Sequence, residues 1–161
     1  MYLLSDFFIA TQEQAEALDI MKSPVLSLPT VLARGVGFDE LMGLLTIIAG
    51  SHARGPLFPP DQHPIRPGPK DDNPCILRVP MAVCTGLANA DDDRLQEWAA
   101  AWALTKDWIE AGFPPSRLAL LLKNLAGLAR QAAAAESFFF VWLCDFPQAP
   151  KAPKGKGEGE S

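Results

Sequence analysis

The chain has 161 residues, 48% hydrophobic and 20% charged, with a net charge of −5 and a pI near 5.0. This balance excludes a disordered or fibrous chain, and the length suits one domain that buries roughly two thirds of its unfolded surface. The acidity speaks against nucleic acid and anionic membrane as partners, because both are held by clustered Lys and Arg.

Leu3 to Ala10 is β-prone and leads into Thr11-Gln12-Glu13-Gln14. There Thr11 can accept from the Gln14 amide while the Gln14 side chain answers back, so a strand and then a short helix to about Leu18 are expected. Pro24, Pro29 and Gly35 punctuate the next stretch and leave Thr30 to Arg34 as a short edge strand. Gly35-x-Gly37 lacks the third glycine and the strand-to-helix context of a dinucleotide-binding loop. Phe38, Leu41, Leu45 and Ile48 recur at helical steps, with Gly50 placed to stop that helix.

Ser51 to Asn73 carries Pro56, Pro59, Pro60, Pro64, Pro67 and Pro69 and has no hydrophobic period, so it reads as a long loop. Arg54, His63, Arg66 and Lys70 place basic groups there, offset by Asp61, Asp71 and Asp72. A solvated insertion and a partner-recognition surface are both open readings.

Cys75 to Val79 predicts a strand, and Pro80 suits the first turn of a helix over Met81 to Ala88. Asp91-Asp92-Asp93 suits the start of the next helix, which should run to about Glu110 with Leu95, Trp98, Ala99, Trp102 and Ala103 on one stripe. Gly112, Pro114 and Pro115 break the chain, and Ser116 can cap a helix reaching Ala135 or Glu136. Its Leu118, Leu121, Leu122, Leu125, Leu128, Ala129 and Ala132 share one side. Ser137 to Cys144 is a continuous apolar run, as expected of a central strand buried on both faces. The resulting expectation is an α+β fold: a small sheet of three to four short strands packed by about five helices, with a helix-rich second half. Residues 1–147 form one domain with its loop at 51–74, and residues 148–161, rich in Gly, Lys and Pro, form a disordered tail.

Candidate chemistry is sparse. His52, His63, Cys75, Cys84 and Cys144 make no Cys-x-x-Cys pair and no His pair at helical spacing, so no metal and no cofactor are expected. The aspartates at 91 to 93 lack the spacing of a calcium loop, and helix capping accounts for them. Cys84 lies near a helix start, where a thiolate gains stability, although a thiol on an apolar face is ordinarily inert core. Trp108 falls off the stripe and near the Gly112 turn, which makes it a candidate interface anchor. Met1 to Asp6 has no basic leader, and no window reaches the ~18 to 20 apolar residues of a membrane span. With three widely spaced cysteines read as buried thiols, a cytoplasmic protein is expected.

Trp102-Ala103-Leu104-Thr105-Lys106-Asp107, Leu125-Ala126-Gly127-Leu128-Ala129-Arg130 and Phe139-Phe140-Val141-Trp142-Leu143-Cys144 lie within the second half, Val79 to Cys144. That half resembles small bacterial α+β domains that pair Trp- and Leu-rich helices with a closing apolar strand. In size, acidity and lack of a catalytic constellation the chain also resembles the immunity proteins that neutralise bacterial toxins. The resemblance implies a non-catalytic protein-binding domain of immunity or adaptor type, with another protein as its partner and no catalytic residue. The proline-rich loop and the Gly-Lys tail depart from that pattern. The partner-facing candidates are Arg54, His63, Arg66, Lys70 and Trp108. The alternative is a small cytoplasmic enzyme with a pocket near Cys84 or His63, and Asp107 as a further participant.

Overall fold

The computed structural model describes residues 2–50, 74–112 and 114–146. In chain order these form β1 (Tyr2–Ala10), α1 (Gln12–Ala17), a 3-10 turn (Pro24–Leu26), β2 (Thr30–Arg34), α2 (Phe38–Ala49) and β3 (Cys75–Arg78). Then follow α3 (Met81–Asn89), α4 (Asp92–Ala103), α5 (Lys106–Ala111), α6 (Pro115–Ala134) and β4 (Phe138–Phe146). The strands make one sheet in the order β2-β1-β4-β3, with every neighbouring pair antiparallel. The fold is α+β, as the sequence predicts. The expected loop at 51–73, with Arg54, His63, Arg66 and Lys70, and the expected tail at 148–161 lie outside the described residues.

The apolar run at Phe138 to Cys144 is central because it must be covered twice. Phe139, Val141 and Leu143 join Phe7, Ile9 and Leu77 in the core on the helical side of the sheet. Phe140, Trp142 and Cys144 join Leu4, Phe8 and Ile76 on the opposite side. There the stretch from α1 to β2 lies across the strands as a strap, its Ala15, Leu18, Ile20 and Leu28 packing on that second cluster. The rings of Phe8 and Phe140 stack across the strand pair with centroids 5.4 Å apart. Two polar contacts tie the strap down. The Trp142 indole Nε1 donates to the Ile20 carbonyl at 2.8 Å, and the Ser23 hydroxyl donates to Asp6 Oδ2 at 2.6 Å. Asp6 is 1% exposed, and a carboxyl so deep is tolerated only with such bonds. The strap begins with the predicted capping box, in which Thr11 and Gln14 exchange hydrogen bonds at 2.9 and 3.1 Å.

The helical layer centres on α6, which buries Leu118, Ala119, Leu122, Leu125, Ala126, Leu128, Ala129 and Ala132 and packs on α3 and α4 as well as the sheet. Replacing Leu125 with Ala should therefore cost about 2–5 kcal/mol, measured as a shift of the urea midpoint. A loss below about 0.5 kcal/mol, the range of surface changes, would place that face wrongly. The start of α6 differs from expectation: Pro114 is the N-cap and Pro115 the first helical residue, while Ser116 lies inside the helix. Proline wins the first position because its missing N–H would find no partner there and its φ is already helical.

The helix expected to run on to Glu110 is instead two. Asp91 caps α4, accepting from the Arg94 amide at 2.8 Å, but the helix ends at Ala103. Thr105 then takes an extended conformation (φ −70°, ψ 152°) and starts α5. The interruption turns Trp108 inward to meet Trp102 edge-on, with centroids 5.2 Å apart. Gly112 ends α5 at φ 72°, a left-handed backbone that glycine adopts without a Cβ clash.

Candidate functional site

Backbone polar groups that a small sheet leaves unpaired lie along its edges, where a further strand can add. The Ile9 amide donates to the Pro29 carbonyl at 3.2 Å, which makes 9 and 29 a hydrogen-bonded pair. With Phe7 opposite Val31 and Ser5 opposite Ala33, the alternation of an antiparallel ladder turns the backbone of Val31 and Ala33 toward β1. The N–H and C=O groups of Thr30, Leu32 and Arg34 therefore face outward along the edge.

A groove of about 930 Å³ runs between this edge and α6, lined by Thr30, Val31, Leu32, Lys123, Gly127 and Leu128 among others. Three features in or beside it are unusual for a folded surface. Leu32 is 44% exposed, and Leu26, in the turn packed beside β2, is 98% exposed. Lys123 is exposed and has no ion-pair partner among the described residues. Gly127 sits inside α6, where glycine weakens a helix, yet a Cβ added there would meet no atom within 4 Å. Packing within the described chain gives no reason for that glycine. Gly127→Ala should raise stability by about 1 kcal/mol through helix propensity alone, read from thermal or urea unfolding. The second cation at the groove, Arg130, is engaged elsewhere. Its Nε and Nη2 donate to the carbonyls of Ala88 and Ala90 at 3.0 and 2.9 Å, closing the C-terminal end of α3.

A second concavity lies beside Cys84. The cleft, of about 180 Å³, is framed by the end of β3, one face of α3 along its length, the C-terminal half of α6 and the start of β4. Cys84 sits on its wall with Sγ 3.8 Å from the Val79 carbonyl, to which the thiol donates. Burial pushes that thiol from its ordinary 9.0 up to about 11, although its own backbone amide and the Arg78 charge pull the other way. At neutral pH the group is a neutral thiol and a poor nucleophile. Its alkylation by iodoacetamide should therefore keep rising about tenfold per pH unit past 9.0 instead of levelling there, as mass spectrometry of the Cys84 peptide would show.

Of the partner-facing candidates, Trp108 is corrected by the structure. It is 2% exposed and packed against Trp102, so it belongs to the core and cannot anchor a partner. Arg54, His63, Arg66 and Lys70 lie outside the described residues, as does the Asp107 side chain. Among the described residues no group of three or more His, Cys, Asp or Glu is placed to hold a metal ion, and no helix is long and apolar enough to cross a membrane. Lys123 and Gly127 escaped the sequence reading, although a glycine inside a strong helical period was a visible signal. Comparison with protein-family models, curated proteins and solved structures finds no match to this chain.

Proposed function

We propose that this chain is a non-catalytic protein-binding domain, of the immunity or adaptor type, that takes an extended segment of its partner onto β2. The outward-facing backbone of Thr30, Leu32 and Arg34 above the α6 groove carries the reading. Strand addition of this kind draws affinity from main-chain hydrogen bonds and selectivity from the pockets that receive alternate side chains. One side of the incoming strand would cover Leu32 and Leu26, and the other would lie along α6 over the space left by Gly127. Lys123 asks for an acidic side chain there, a local reversal of sign in a chain of net charge −5. The three cysteines, all thiols, suit a reducing cytoplasm as the place of action.

Selection of short peptides from a displayed random library tests this directly. The expected winners alternate apolar residues with one acid, shift the amide resonances of residues 30–34 and 123–128, and lose roughly tenfold or more in affinity on Lys123→Glu. Peptides that bind Lys123→Glu as tightly, or that shift other residues, would remove the assignment. The alternative of a small enzyme finds a cleft beside Cys84, but the buried neutral thiol argues against covalent catalysis there.

A further inference from the structure

The cleft beside Cys84 has a composition that the strand-binding reading does not use. Its floor is apolar and made of short side chains: Ala88, Ala129 and Ala132 leave the space, and Val79 and Phe139 close it. Past Leu128, the last buried leucine of α6, the buried positions Ala129 and Ala132 carry only methyl groups and leave a hollow. At about 180 Å³ it exceeds the ~150 Å³ apolar cavity that accepts one benzene ring.

The rim supplies one charge. The Arg78 guanidinium lies over the Phe138 ring, its central carbon 3.8 Å from the centroid. Stacking occupies the face of the guanidinium and holds it in place, while its N–H groups remain in the plane of the fork, available at the edge. Among the described residues no Asp or Glu lines the cleft and Arg78 has no ion-pair partner. Its positive charge acts on the Cys84 thiol in the wall, so its field reaches the interior. Thr85, Asn89 and Ser137 are the uncharged polar residues of its lining. A single planar fork matches a carboxylate, two parallel N–H···O bonds to two oxygens.

We propose that this cleft binds a small monocarboxylate with an apolar tail the size of a phenyl ring, the tail on the alanine floor and the carboxylate on Arg78. The pairing joins burial of the ring to a charge-assisted hydrogen bond in a partly enclosed site, where it outweighs the same contact in open water. Neither half binds well alone. A neutral ring lacks the rim contact, and acetate lacks the floor.

The test uses the full chain labelled with nitrogen-15 and two probes, 3-phenylpropionate and its uncharged amide, 3-phenylpropanamide. The acid should produce saturable amide shifts at residues 78–89 and 129–139, and the amide should bind roughly tenfold more weakly, the worth of one charged hydrogen bond. Arg78→Gln should bring the acid down to the affinity of the amide and leave the amide unchanged. Ala133→Leu, at an exposed position on the cleft wall, should fill the space and remove both. Equal affinity of acid and amide in the unaltered protein would overturn the proposal, without dependence on any variant folding. So would saturation with shifts confined to other residues, absence of saturable shifts, or undiminished binding in Ala133→Leu.

Discussion

Replacing Trp102 with Ala should destabilise the protein by about 3–5 kcal/mol, a large share of the 5–15 kcal/mol that holds a domain of this kind together. Trp102 is fully buried, and three separate losses follow its removal. The ring leaves a cavity between α2 and α4, which the surrounding helices fill only in part. Trp108 loses the face it meets edge-on. The Glu40 carbonyl loses the indole Nε1 that donates to it at 3.0 Å, the polar tie between these two helices. Trp102→Phe separates the effects, since it keeps most of the ring and drops the hydrogen bond. Its cost should fall near 1–3 kcal/mol, the range for leaving one buried acceptor unmade. Urea unfolding with an unchanged m-value is the measurement, because a changed slope would signal loss of two-state behaviour. A Trp102→Ala loss below about 1 kcal/mol, inside the ordinary scatter of point substitutions, would show that the site is not packed as described.

The elements that were legible in the sequence share a property: their signal is local. Thr11 and Gln14 satisfy each other across one turn, Asp91 caps the helix next to it, and Phe139 to Cys144 is apolar at every position and so must be covered twice. What escaped depends on packing. Neither Leu104 nor Thr105 is a glycine or proline, so the sequence carries no stop signal after the stripe of α4. The fold breaks it there because the inward position of Trp108 cannot be reached from a straight helix. The strap is another case. Residues 11–29 read as a short helix and punctuation, yet Ala15, Leu18, Ile20 and Leu28 cover the second face of the sheet, a role visible only once that face exists. The candidate sites were the least legible. The groove joins β2 to α6, elements far apart in the chain, and the cleft is framed by alanines that in sequence are merely good helix formers.

Proline scanning of two adjacent residues should split the fold of β2 from its proposed use. At Ala33 the amide faces β1 opposite Ser5, and the side chain is 2% exposed against the helical core. Ala33→Pro removes a ladder donor, leaves a Ser5 acceptor unmade and forces a ring into a filled site, so it should cost about 3 kcal/mol or more. At Leu32 the amide faces outward and the side chain is half-exposed. Proline is tolerated on an edge strand where the missing N–H would point away from the sheet, so Leu32→Pro should stay within about 1 kcal/mol of the parent. The same substitution deletes the central donor that an added strand would use, and its ring blocks close approach. Peptides selected on the unaltered protein should therefore bind Leu32→Pro at least roughly tenfold more weakly while the fold survives. Equal destabilisation by both prolines would mean that the ladder alternates the other way. A stable Leu32→Pro that binds as tightly as the parent would mean that the strand edge is not where the partner lies.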